Sequence, residues 1–512
     1  MIQGPAAALA SVALLAGVGC RATTATESAP APAPASPARA EVTLLFTSDE
    51  HGWLLPRTEK GRVRGGAAEM LGLWVAEEGH CPGPLSPSKP PGSACKDPST
   101  LALSAGDSYT GPAISTYFDG EPMAEAMGRM GYAASAFGNH ELDFGRERFL
   151  ANRARSGMVY LAANLRAPEA RRDMGLPPFA IFERRGIRIG VVGVATDTTL
   201  QTAMASRFEG ITFEAEEPAM DRAVRAAWAA GAEVVVAIVH ECPDKVAPIV
   251  ERHPEWRLSF VGAGHCHRMM SLRAGGVPVI APGWRLDRYV RLRLTRALDP
   301  PGAGVIAEPP SVVEMSRPEG ASTAPPDPEI TRAAQAWKAK IDVALGEEIG
   351  WSATGFEKEA PEMGRWIAGA WRDELGTDVA IVNGSGLRQS LSKGPITKAT
   401  VWSILPFDNR IMVVRLDGEA LLENLRNEET VAAGVIRARD ATFTLAAGQP
   451  IDPRRIYSVA TIDYLYFGGD HFTFAKRAVS TETRGVDWRE VVIAWTRKQH
   501  TTRDAPLEAR LR

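Results

Sequence analysis

The sequence predicts an α/β or layered α+β fold for residues 41–296. Short β-rich runs alternate there with amphipathic helical patterns, as at residues 122–130 and 218–230. Several of the β-rich runs are nearly continuous in apolar residues, which is typical of strands buried on both faces. The predicted strands are residues 42–47, 101–104, 133–137, 187–194, 233–239, 258–261 and 277–281. This alternation indicates layers of helices packed on sheets.

A second folded body is predicted for residues 346–505. Residues 298–328 are rich in Pro, Gly, Ala and Ser and have little periodicity, which indicates a linker or a surface excursion. A helical pattern follows at residues 329–345, and the second body has its own helical and strand patterns at residues 363–375 and 379–382. At roughly 100–200 residues per domain, a chain of 512 residues accommodates two or three domains.

The composition is that of an ordinary soluble protein. Hydrophobic residues make up 45% of the chain and charged residues 23%, and the formal net charge is −3. This charge gives no reason to expect a nucleic-acid partner. Beyond the first 20 residues there is no uncharged apolar stretch of about 18 residues, so the sequence predicts no internal transmembrane helix.

The N-terminal segment has the pattern of an export signal. An apolar run at residues 6–18 has the length of a signal-peptide core, and the small residues before Cys20 suit a cleavage site. The segment resembles a bacterial lipoprotein signal with Cys20 as the lipidated residue, which implies a lipid anchor in the periplasm or cell envelope. A plain secretory signal is the alternative. The Ala-, Pro-, Thr- and Ser-rich residues 21–40 are predicted to form a flexible tether.

Five cysteines are present, and four remain if Cys20 carries lipid. Cys81 and Cys95 bracket a loop rich in Pro, Gly and Ser that a disulfide would staple. Cys242 and Cys266 each lie close to a histidine, so they form either a second disulfide or free thiols near a metal. The sequence leaves these two alternatives open.

Polar motifs follow five of the predicted strands, each at the carboxyl end. Ligand sites of α/β sheets lie at these ends, so the five motifs are expected to converge. They are Thr47-Ser48-Asp49-Glu50-His51-Gly52, Ser104-Ala105-Gly106-Asp107, Gly138-Asn139-His140-Glu141-Leu142-Asp143, His240-Glu241 and Gly262-Ala263-Gly264-His265-Cys266-His267. His80 and His253 fall in no motif and are predicted to lie on the surface.

The residue types in these motifs suit phosphate-ester hydrolysis with two metal ions. Two divalent ions about 3.5–4 Å apart generate a nucleophile at neutral pH and neutralise the attacking and leaving oxygens. Holding them requires a bridging carboxylate and a mixture of His, Asp and Asn ligands, which suits Zn, Mn or Fe. The glycines allow the backbone to approach a metal or a phosphate closely.

The five motifs resemble those of calcineurin-like metallophosphoesterases, and the longer text GNHELDFG and GHCH resembles the bacterial 5'-nucleotidase and UDP-sugar hydrolase family. The resemblance implies a four-layer αββα metallophosphoesterase sandwich at residues 41–298 and a linker with a connecting helix at residues 299–345. It also implies an α+β substrate-binding domain, the 5'-nucleotidase C-terminal domain, at residues 346–505.

The resemblance also implies roles for individual residues. Asp107 bridges two divalent metal ions, for which Zn, Mn, Co and Fe are candidates. The remaining ligands are Asp49, His51 and His267 at the first metal, and Asn139, His240 and His265 at the second. His140 and Asp143 correspond to a catalytic dyad, in which Asp143 orients His140. Cys242 and Cys266 are not expected to be ligands, and Glu50 and Glu141 are expected to lie outside the ligand set.

The C-terminal body carries further matches to the same family. The text DVAIVNGSGLR, LPFDN and Tyr464 followed by Gly468-Gly469-Asp470 resembles its substrate-binding segments. These imply substrate-binding roles for Asn383, Arg388, Phe407, Tyr464 and Asp470, with Phe407 and Tyr464 stacking on a nucleobase. One segment departs from the family: residues 356–364 contain Glu357 and Glu359 where arginines are frequent. Substrate specificity therefore stays open.

The sequence thus favours an exported phosphoesterase that hydrolyses nucleoside 5'-phosphates or related nucleotide esters. Its expected partner is a small nucleotide substrate, with no nucleic acid and no membrane contact except through the anchor at Cys20. Two alternatives remain open. One is a thiosulfohydrolase on the same scaffold, and the other is a surface lipoprotein that binds a ligand without turnover.

Overall fold

Two sheets form the first part of the fold in the computed structural model, which describes residues 39–84, 98–299, 302–321 and 324–511. The first sheet has the order Ile306–Ala307, Arg288–Ala297, Arg39–Thr47, Thr100–Ser104, Tyr132–Ala136 and Val159–Leu161, with Ser311–Glu314 also paired to Arg288–Ala297. The second has the order Met269–Ala274, Val277–Pro282, Leu258–Ala263, Val234–Val239, Ile187–Val194 and Phe179–Arg184. Within each sheet, the strands that precede the motifs run parallel to one another.

The two sheets pack face to face between two layers of helices. In the strand Arg39–Thr47, Val42, Leu44 and Phe46 enter the core between the sheets, whereas Leu45 faces helices on the other side. The second sheet alternates in the same way. Val191 belongs to the core between the sheets, whereas Val192 and Val194 belong to the core on the outer face. This period of two places one face of each strand in each core. The predicted four-layer αββα arrangement is therefore confirmed.

Helices cover both outer faces of the sandwich. Those on the first sheet are Ala67–Glu78, Ala113–Thr116, Glu121–Arg129 and Arg146–Ser156. Those on the second sheet are Glu216–Ala229 and Pro243–Arg252. The long helix Pro328–Leu345 packs its apolar face on the first sheet's outer core, and the Asp327 side chain caps its N-terminus by accepting from the Glu329 and Ile330 backbone N–H groups.

A third sheet forms a separate core in the second domain. Its order is Thr430–Ala433, Val379–Asn383, Ile456–Ile462, Arg410–Asp417 and Ser480–Asp487. The helices around it are Pro361–Leu375, Lys398–Ile404, Gly418–Leu425, Asp463–Tyr466, Phe474–Arg477 and Trp488–Lys498. The chain is therefore a mixed α/β protein of two domains, as predicted.

Shorter elements complete the described part of the chain. Small strand pairs and triplets are formed by Arg57–Glu59, Arg62–Arg64 and Ser316–Pro318, by Leu165–Arg166 and Thr212–Phe213, by Glu348–Ser352 and Gly394–Thr397, and by Val435–Arg437 and Phe443–Leu445. The remaining helical turns are Thr199–Thr202, Glu169–Met174, Ala205–Phe208, Pro254–Trp256, Gly469–His471 and Leu507–Ala509. The segment predicted as a linker thus contributes short strands to two sheets. Within the described ranges, no helix has the length and apolarity needed to cross a membrane.

One predicted surface residue lies in the interior. His80 is only 6% exposed, and its ring packs edge-on against Trp74. Its two ring nitrogens lie 2.8 Å from the Thr100 hydroxyl and 2.8 Å from the Met130 carbonyl oxygen. The prediction was wrong because these partners are distant in sequence. His253, by contrast, is partly exposed, as expected.

Candidate metal centre

The five motif loops meet at one edge of the sandwich, with both sheets contributing. Asp49 and His51 follow the strand Arg39–Thr47, Asp107 follows Thr100–Ser104, and Asn139 follows Tyr132–Ala136. His240 follows Val234–Val239, and His265 and His267 follow Leu258–Ala263. Parallel strands end at a common edge, so these side chains are brought together by the direction of the strands.

The side chains form two groups that share Asp107. In each group the donor atoms lie within 4.8 Å of one another: Asp49, His51, Asp107 and His267 in the first, and Asp107, His240 and His265 in the second. Asn139 joins the second group, since its Oδ1 lies 3.0 Å from His240 Nε2 and 3.1 Å from His265 Nδ1. All seven side chains predicted as ligands therefore lie in one place.

Hydrogen bonds to surrounding backbone carbonyl groups orient the donor atoms of both ligand groups towards each other. His51 Nδ1 donates to the Thr110 carbonyl oxygen at 2.9 Å, and His240 Nδ1 donates to the Ala105 carbonyl oxygen at 2.8 Å. Nε2 of each ring is therefore the atom that can offer a lone pair to a bound cation, and the two Nε2 atoms face Asp107 Oδ2 at 3.6 and 3.2 Å. Asn139 Nδ2 likewise donates to Thr202, which leaves its Oδ1 facing the group. Acceptors that face one another in this way fit a bound cation.

The buried charges of the groups point to the same conclusion. Burial raises the pKa of Asp49 to about 7, with Asp107 adding to the rise, because two carboxylates lie close together out of water. Burial alone would lower the pKa of His240, but the carboxylates of Asp107 and Asp49 outweigh it and raise that pKa to about 10. The buried carboxylates therefore favour positive charge beside them, and a divalent ion would supply it.

Strained backbone conformations are concentrated in these loops. Asp49, His51, Asp107, His265 and His267 have φ angles of 52°, 45°, 59°, 70° and 56°. A residue with a side chain held in this left-handed region costs roughly 1–3 kcal/mol. Such strain persists only where neighbouring contacts determine the conformation, and it is typical of sites in which side chains must converge.

A disulfide between Cys242 and Cys266 joins two of the ligand-bearing loops. It links the residue two positions after His240 to the residue between His265 and His267, with the two Cα atoms 5.4 Å apart. This settles the alternative left open by the sequence, because neither sulfur is a free thiol. Cys81 is also disulfide-bonded, whereas Cys95, its predicted partner, lies outside the described residues, as does Cys20.

Two further carboxylates, Glu50 and Glu141, support the loops from behind. Glu50 accepts hydrogen bonds from the hydroxyls of Thr47 and Ser104 at 2.5 and 2.9 Å. Glu141 accepts from the backbone N–H groups of Asp107 and Ser108 at 3.2 and 3.1 Å. Neither belongs to a group of converging donors among the described residues.

His140 lies beside the two groups without joining either. Its Nδ1 lies 2.9 Å from Asp143 Oδ2, and its backbone N–H donates to Asp107 Oδ1 at 2.9 Å. Burial would lower the pKa of His140, but the carboxylates of Asp143 and Asp107 outweigh burial and raise it above its ordinary value. The ring is stacked on Phe407 of the second domain, with centroids 5.1 Å apart.

A cleft of about 680 Å³ runs from the metal groups to the second domain. Its lining includes Asp107, Asn139, His140 and Asp143 from the first domain and all five residues predicted to bind substrate, namely Asn383, Arg388, Phe407, Tyr464 and Asp470. Asp470 accepts hydrogen bonds from Asn383 Nδ2 at 2.7 Å and from Tyr464 Oη at 2.8 Å. Asn383 Oδ1 is buried and has no hydrogen-bond partner.

Arg388 reaches across the cleft to the first metal group. Its Nη2 lies 3.0 Å from His51 Nε2 and 3.4 Å from His267 Nε2. The guanidinium carbon also lies 5.6 Å from the centre of the Phe407 ring. A cation between the metal groups and the aromatic residues is suited to contact an anionic group bound there.

Trp284 is a cleft residue that the sequence did not predict. Its ring is stacked on His267, with centroids 4.5 Å apart and planes inclined by 8°. It follows the strand Val277–Pro282, one of the predicted strands without a polar motif. The rule that ligand sites lie at carboxyl strand ends would have drawn attention to this loop.

Comparison with known proteins finds similarity along most of the chain. Residues 340–477 match the family described as 5'-nucleotidase, C-terminal domain. Protein UshA of Yersinia enterocolitica is 24% identical over 546 aligned positions, which cover 92% of this chain and 92% of that protein. Over about nine tenths of its length the chain is therefore similar to the UshA and 5'-nucleotidase family. The family predicted from the motifs is thus confirmed.

Solved structures of similar proteins have the same fold as this chain. The 5'-nucleotidase precursor from Thermus thermophilus superposes with a TM-score of 0.75 at 21% identity, covering 90% of this chain and 97% of that one. The sulfate thiohydrolase SoxB from the same organism superposes with a TM-score of 0.69 at 17% identity, covering 90% and 94%. This chain is a 5'-nucleotidase-like metallophosphoesterase, and its buried His and Asp clusters fit a binuclear metal site.

Proposed function

We propose that this enzyme hydrolyses nucleoside 5'-monophosphates or related nucleotide esters outside the cytoplasm. The observation that carries the proposal is the position of Asp107, shared by two groups of converging donors at one end of a cleft. Aromatic side chains and Arg388 of the second domain line the rest of that cleft. If the phosphoryl group of a substrate binds beside the two donor groups, the rest of the ester would extend along the cleft towards the second domain.

Seven side chains would hold two divalent ions. The first ion would bind Asp49, His51, Asp107 and His267, and the second would bind Asp107, Asn139, His240 and His265. Imidazole, carboxylate and amide donors suit Zn, Mn, Co or Fe. Two such ions supply a hydroxide nucleophile at neutral pH and neutralise the attacking and leaving oxygens. Strained loops that already aim the donors inward support this assignment.

His140 would stabilise negative charge on the transferred phosphoryl group. The carboxylates of Asp143 and Asp107 raise the pKa of His140 and so favour its protonated ring, and Asp143 fixes the ring orientation through Nδ1. The Nε2–H group is then available to donate to a phosphoryl oxygen. A donor fixed in advance stabilises developing charge without reorganising during the reaction.

Phe407 and Tyr464 would stack on the base of the substrate. Both rings line the cleft, and each is held in place: Phe407 by His140, and Tyr464 by its hydroxyl, which donates to Asp470. Base stacking is worth roughly 1–3 kcal/mol per base and tolerates different bases. Asn383 and Asp470 would contact the sugar, because the orphaned Asn383 Oδ1 accepts no hydrogen bond within the described chain.

A thiosulfohydrolase activity is the second candidate, since SoxB shares the fold. Phe407, Tyr464 and Asp470 favour the nucleotide substrate because a small thiosulfonate needs no aromatic stacking. The segment at residues 356–364 leaves room for an unusual ester, since Glu357 and Glu359 stand beside its one basic residue, Lys358.

Export is supported by the Cys242–Cys266 disulfide, because disulfides persist in oxidising compartments. A lipid anchor at Cys20 and a tether at residues 21–40 complete this part of the proposal. We place the phosphoesterase domain at residues 41–298, the connecting segment at 299–345 and the substrate-binding domain at 346–505. The separate apolar core of the second domain supports that division.

Phosphate release from a substrate panel tests the proposal. The panel contains nucleoside 5'-monophosphates, a UDP-sugar, nitrophenyl phosphate and a cysteine-linked thiosulfonate, each with and without a chelator. Metal-dependent release of phosphate or nucleoside from nucleotides is expected. Turnover of the thiosulfonate alone would favour the second candidate, and nucleotide binding without any turnover would indicate a binding protein. The remote variant His253→Ala serves as a control and should behave as the wild type.

A further inference from the structure

The segment Gly283-Trp284-Arg285 is fixed to the ligand-bearing loops of the first domain. The Ser48 hydroxyl donates to the Gly283 carbonyl oxygen at 2.9 Å, and the Arg285 backbone N–H donates to the Asp49 carbonyl oxygen at 2.9 Å. The stacking of Trp284 on His267 adds a third attachment. The segment is therefore held against the loops that carry the predicted metal ligands.

The Arg285 side chain is held between two indole rings. Its guanidinium carbon lies 3.4 Å from the centre of the Trp284 ring and 4.7 Å from that of Trp53. Burial, followed by the neighbouring Arg57, lowers the pKa of Arg285 to about 9, so the group stays protonated at neutral pH. A planar cation between two aromatic faces has little freedom to rotate.

The Arg285 guanidinium makes a direct contact with the second domain. Its Nη2 donates to the Arg388 backbone carbonyl oxygen at 2.8 Å. The Arg388 side chain in turn lies beside His51 and His267. Arg285 thus connects the metal loops of one domain to the backbone of the arginine that the other domain sends into the cleft.

The charges around this contact indicate an anionic ligand. Arg285, Arg388 and Lys358 lie close enough for the two arginines to lower the pKa of Lys358, after the larger effect of burial. Lys358 is paired with Glu359 at 3.5 Å, whereas Arg285 and Arg388 have no carboxylate oxygen within 4 Å among the described residues. Mutual repulsion of such a group is relieved when an anion binds among its members.

We propose that Arg285 is a positioning residue that holds Arg388, across the domain boundary, where the phosphoryl group of the substrate binds. This inference rests on the proposed function. Arg285 itself does not line the cleft. Its effect on the anion is therefore transmitted through the backbone of Arg388.

Calorimetric binding of inorganic phosphate to the metal-loaded enzyme tests the proposal without requiring turnover. Arg285→Met keeps most of the side-chain volume but loses the donors, and it should weaken phosphate binding about tenfold, the size expected for a lost hydrogen bond at a charged group. Metal content should stay unchanged. The matched control is Arg257→Met, because the Arg257 guanidinium carbon also lies over an indole, 4.5 Å from Trp228, away from the cleft.

A double-mutant comparison separates positioning from general support of the fold. If Arg285 acts through Arg388, the double variant Arg285→Met, Arg388→Met should bind phosphate no more weakly than Arg388→Met alone. Additive losses, or wild-type affinity in Arg285→Met, would overturn the proposal. Where the Met variant does not fold, Arg285→Lys replaces it, with an expected weakening of about threefold, since lysine lacks the planar fork. Unchanged affinity in that variant would overturn the proposal.

The proposed function can fail independently of this inference. If phosphate affinity depends on Arg285 as expected but no nucleotide in the panel is hydrolysed, only the assigned reaction is wrong. If nucleotides are hydrolysed and Arg285→Met binds phosphate as the wild type does, only the positioning role is wrong.

Discussion

Asp107 is the side chain that both groups of predicted metal ligands share. Its Oδ2 lies 3.6 Å from His51 Nε2 and 3.2 Å from His240 Nε2, whereas its Oδ1 accepts from the His140 backbone N–H. The carboxylate therefore touches both metal groups and the loop of the proposed dyad. The Asp107 backbone N–H donates to the Glu141 carboxylate at 3.2 Å. Loss of this side chain removes a donor from each group at once.

Asp107→Ala is expected to abolish turnover more completely than His267→Ala. The aspartate change dismantles both metal positions, whereas the histidine change removes one ligand from the first. Metal content after dialysis should fall towards zero in the aspartate variant and towards one ion per chain in the histidine variant. Equal losses of activity and metal in the two variants would contradict the bridging role.

At the scale of residues, the sequence predicted donors but not the contacts that hold them. The seven ligand candidates could be found because each follows a predicted strand, and strand direction alone brings them to one edge. Trp284 and Arg285 were not predicted, since their partners His267, Trp53 and Arg388 come from distant parts of the chain. His80 was misplaced for the same reason.

At the scale of elements, apolar runs determine which strands lie inside the sandwich. The strands Val234–Val239 and Ile187–Val194 are nearly all buried, because one face packs on the opposing sheet and the other on helices. Their bounds agree closely with the predicted runs. The short strands between Ile306 and Pro318 escaped prediction because they are only partly buried, so no apolar run marks them.

The buried ring of His80, between the helix Ala67–Glu78 and the first sheet, should make the free energy of unfolding depend on pH. Burial lowers its pKa to about 4, from 6.5 in the unfolded chain, so the folded protein holds the neutral ring. As the pH falls from about 6.5 to 4, the His80 ring binds a proton in the unfolded chain but stays neutral in the folded chain. The free energy of unfolding should therefore fall by about 3 kcal/mol over this range from His80 alone.

His80→Gln isolates that contribution, because glutamine can still donate to the Met130 carbonyl oxygen but does not titrate. Unfolding free energies of the two chelator-treated proteins, measured in denaturant from pH 7 to pH 4, should converge or cross as the pH falls. Curves that stay parallel over the whole range would show that His80 titrates normally in the fold.

In the molecule as a whole, the candidate active site lies where the two domains meet. The metal groups belong to the first domain, and Phe407, Tyr464 and Arg388 belong to the second. Contacts across the cleft include the Tyr464 hydroxyl oxygen, which lies 3.1 Å from the Gln201 carbonyl oxygen, and the Arg207–Asp408 ion pair at 3.9 Å. A substrate must reach between these contacts, so domain motion is expected to accompany turnover.

Joining the domains at the Arg207–Asp408 contact should slow nucleotide turnover by at least about tenfold. Both residues would be changed to cysteine and linked by a short bis-maleimide, with single-cysteine variants treated identically as controls. Nitrophenyl phosphate, which needs no base stacking, should be affected less than a nucleotide. A fully cross-linked enzyme that hydrolyses nucleotides at the unmodified rate would show that the domains need not move.

If two ions held by the seven converging side chains carry the reaction, phosphate release must rise with metal content, and both quantities can be measured in one titration. Enzyme stripped with a chelator is reloaded stepwise with Mn, Co or Zn while bound metal and release from a nucleoside 5'-monophosphate are recorded together. No activity is expected in the stripped enzyme, and full recovery is expected only as occupancy approaches two ions per chain. Full activity without bound metal, or complete recovery with a single ion, would contradict it.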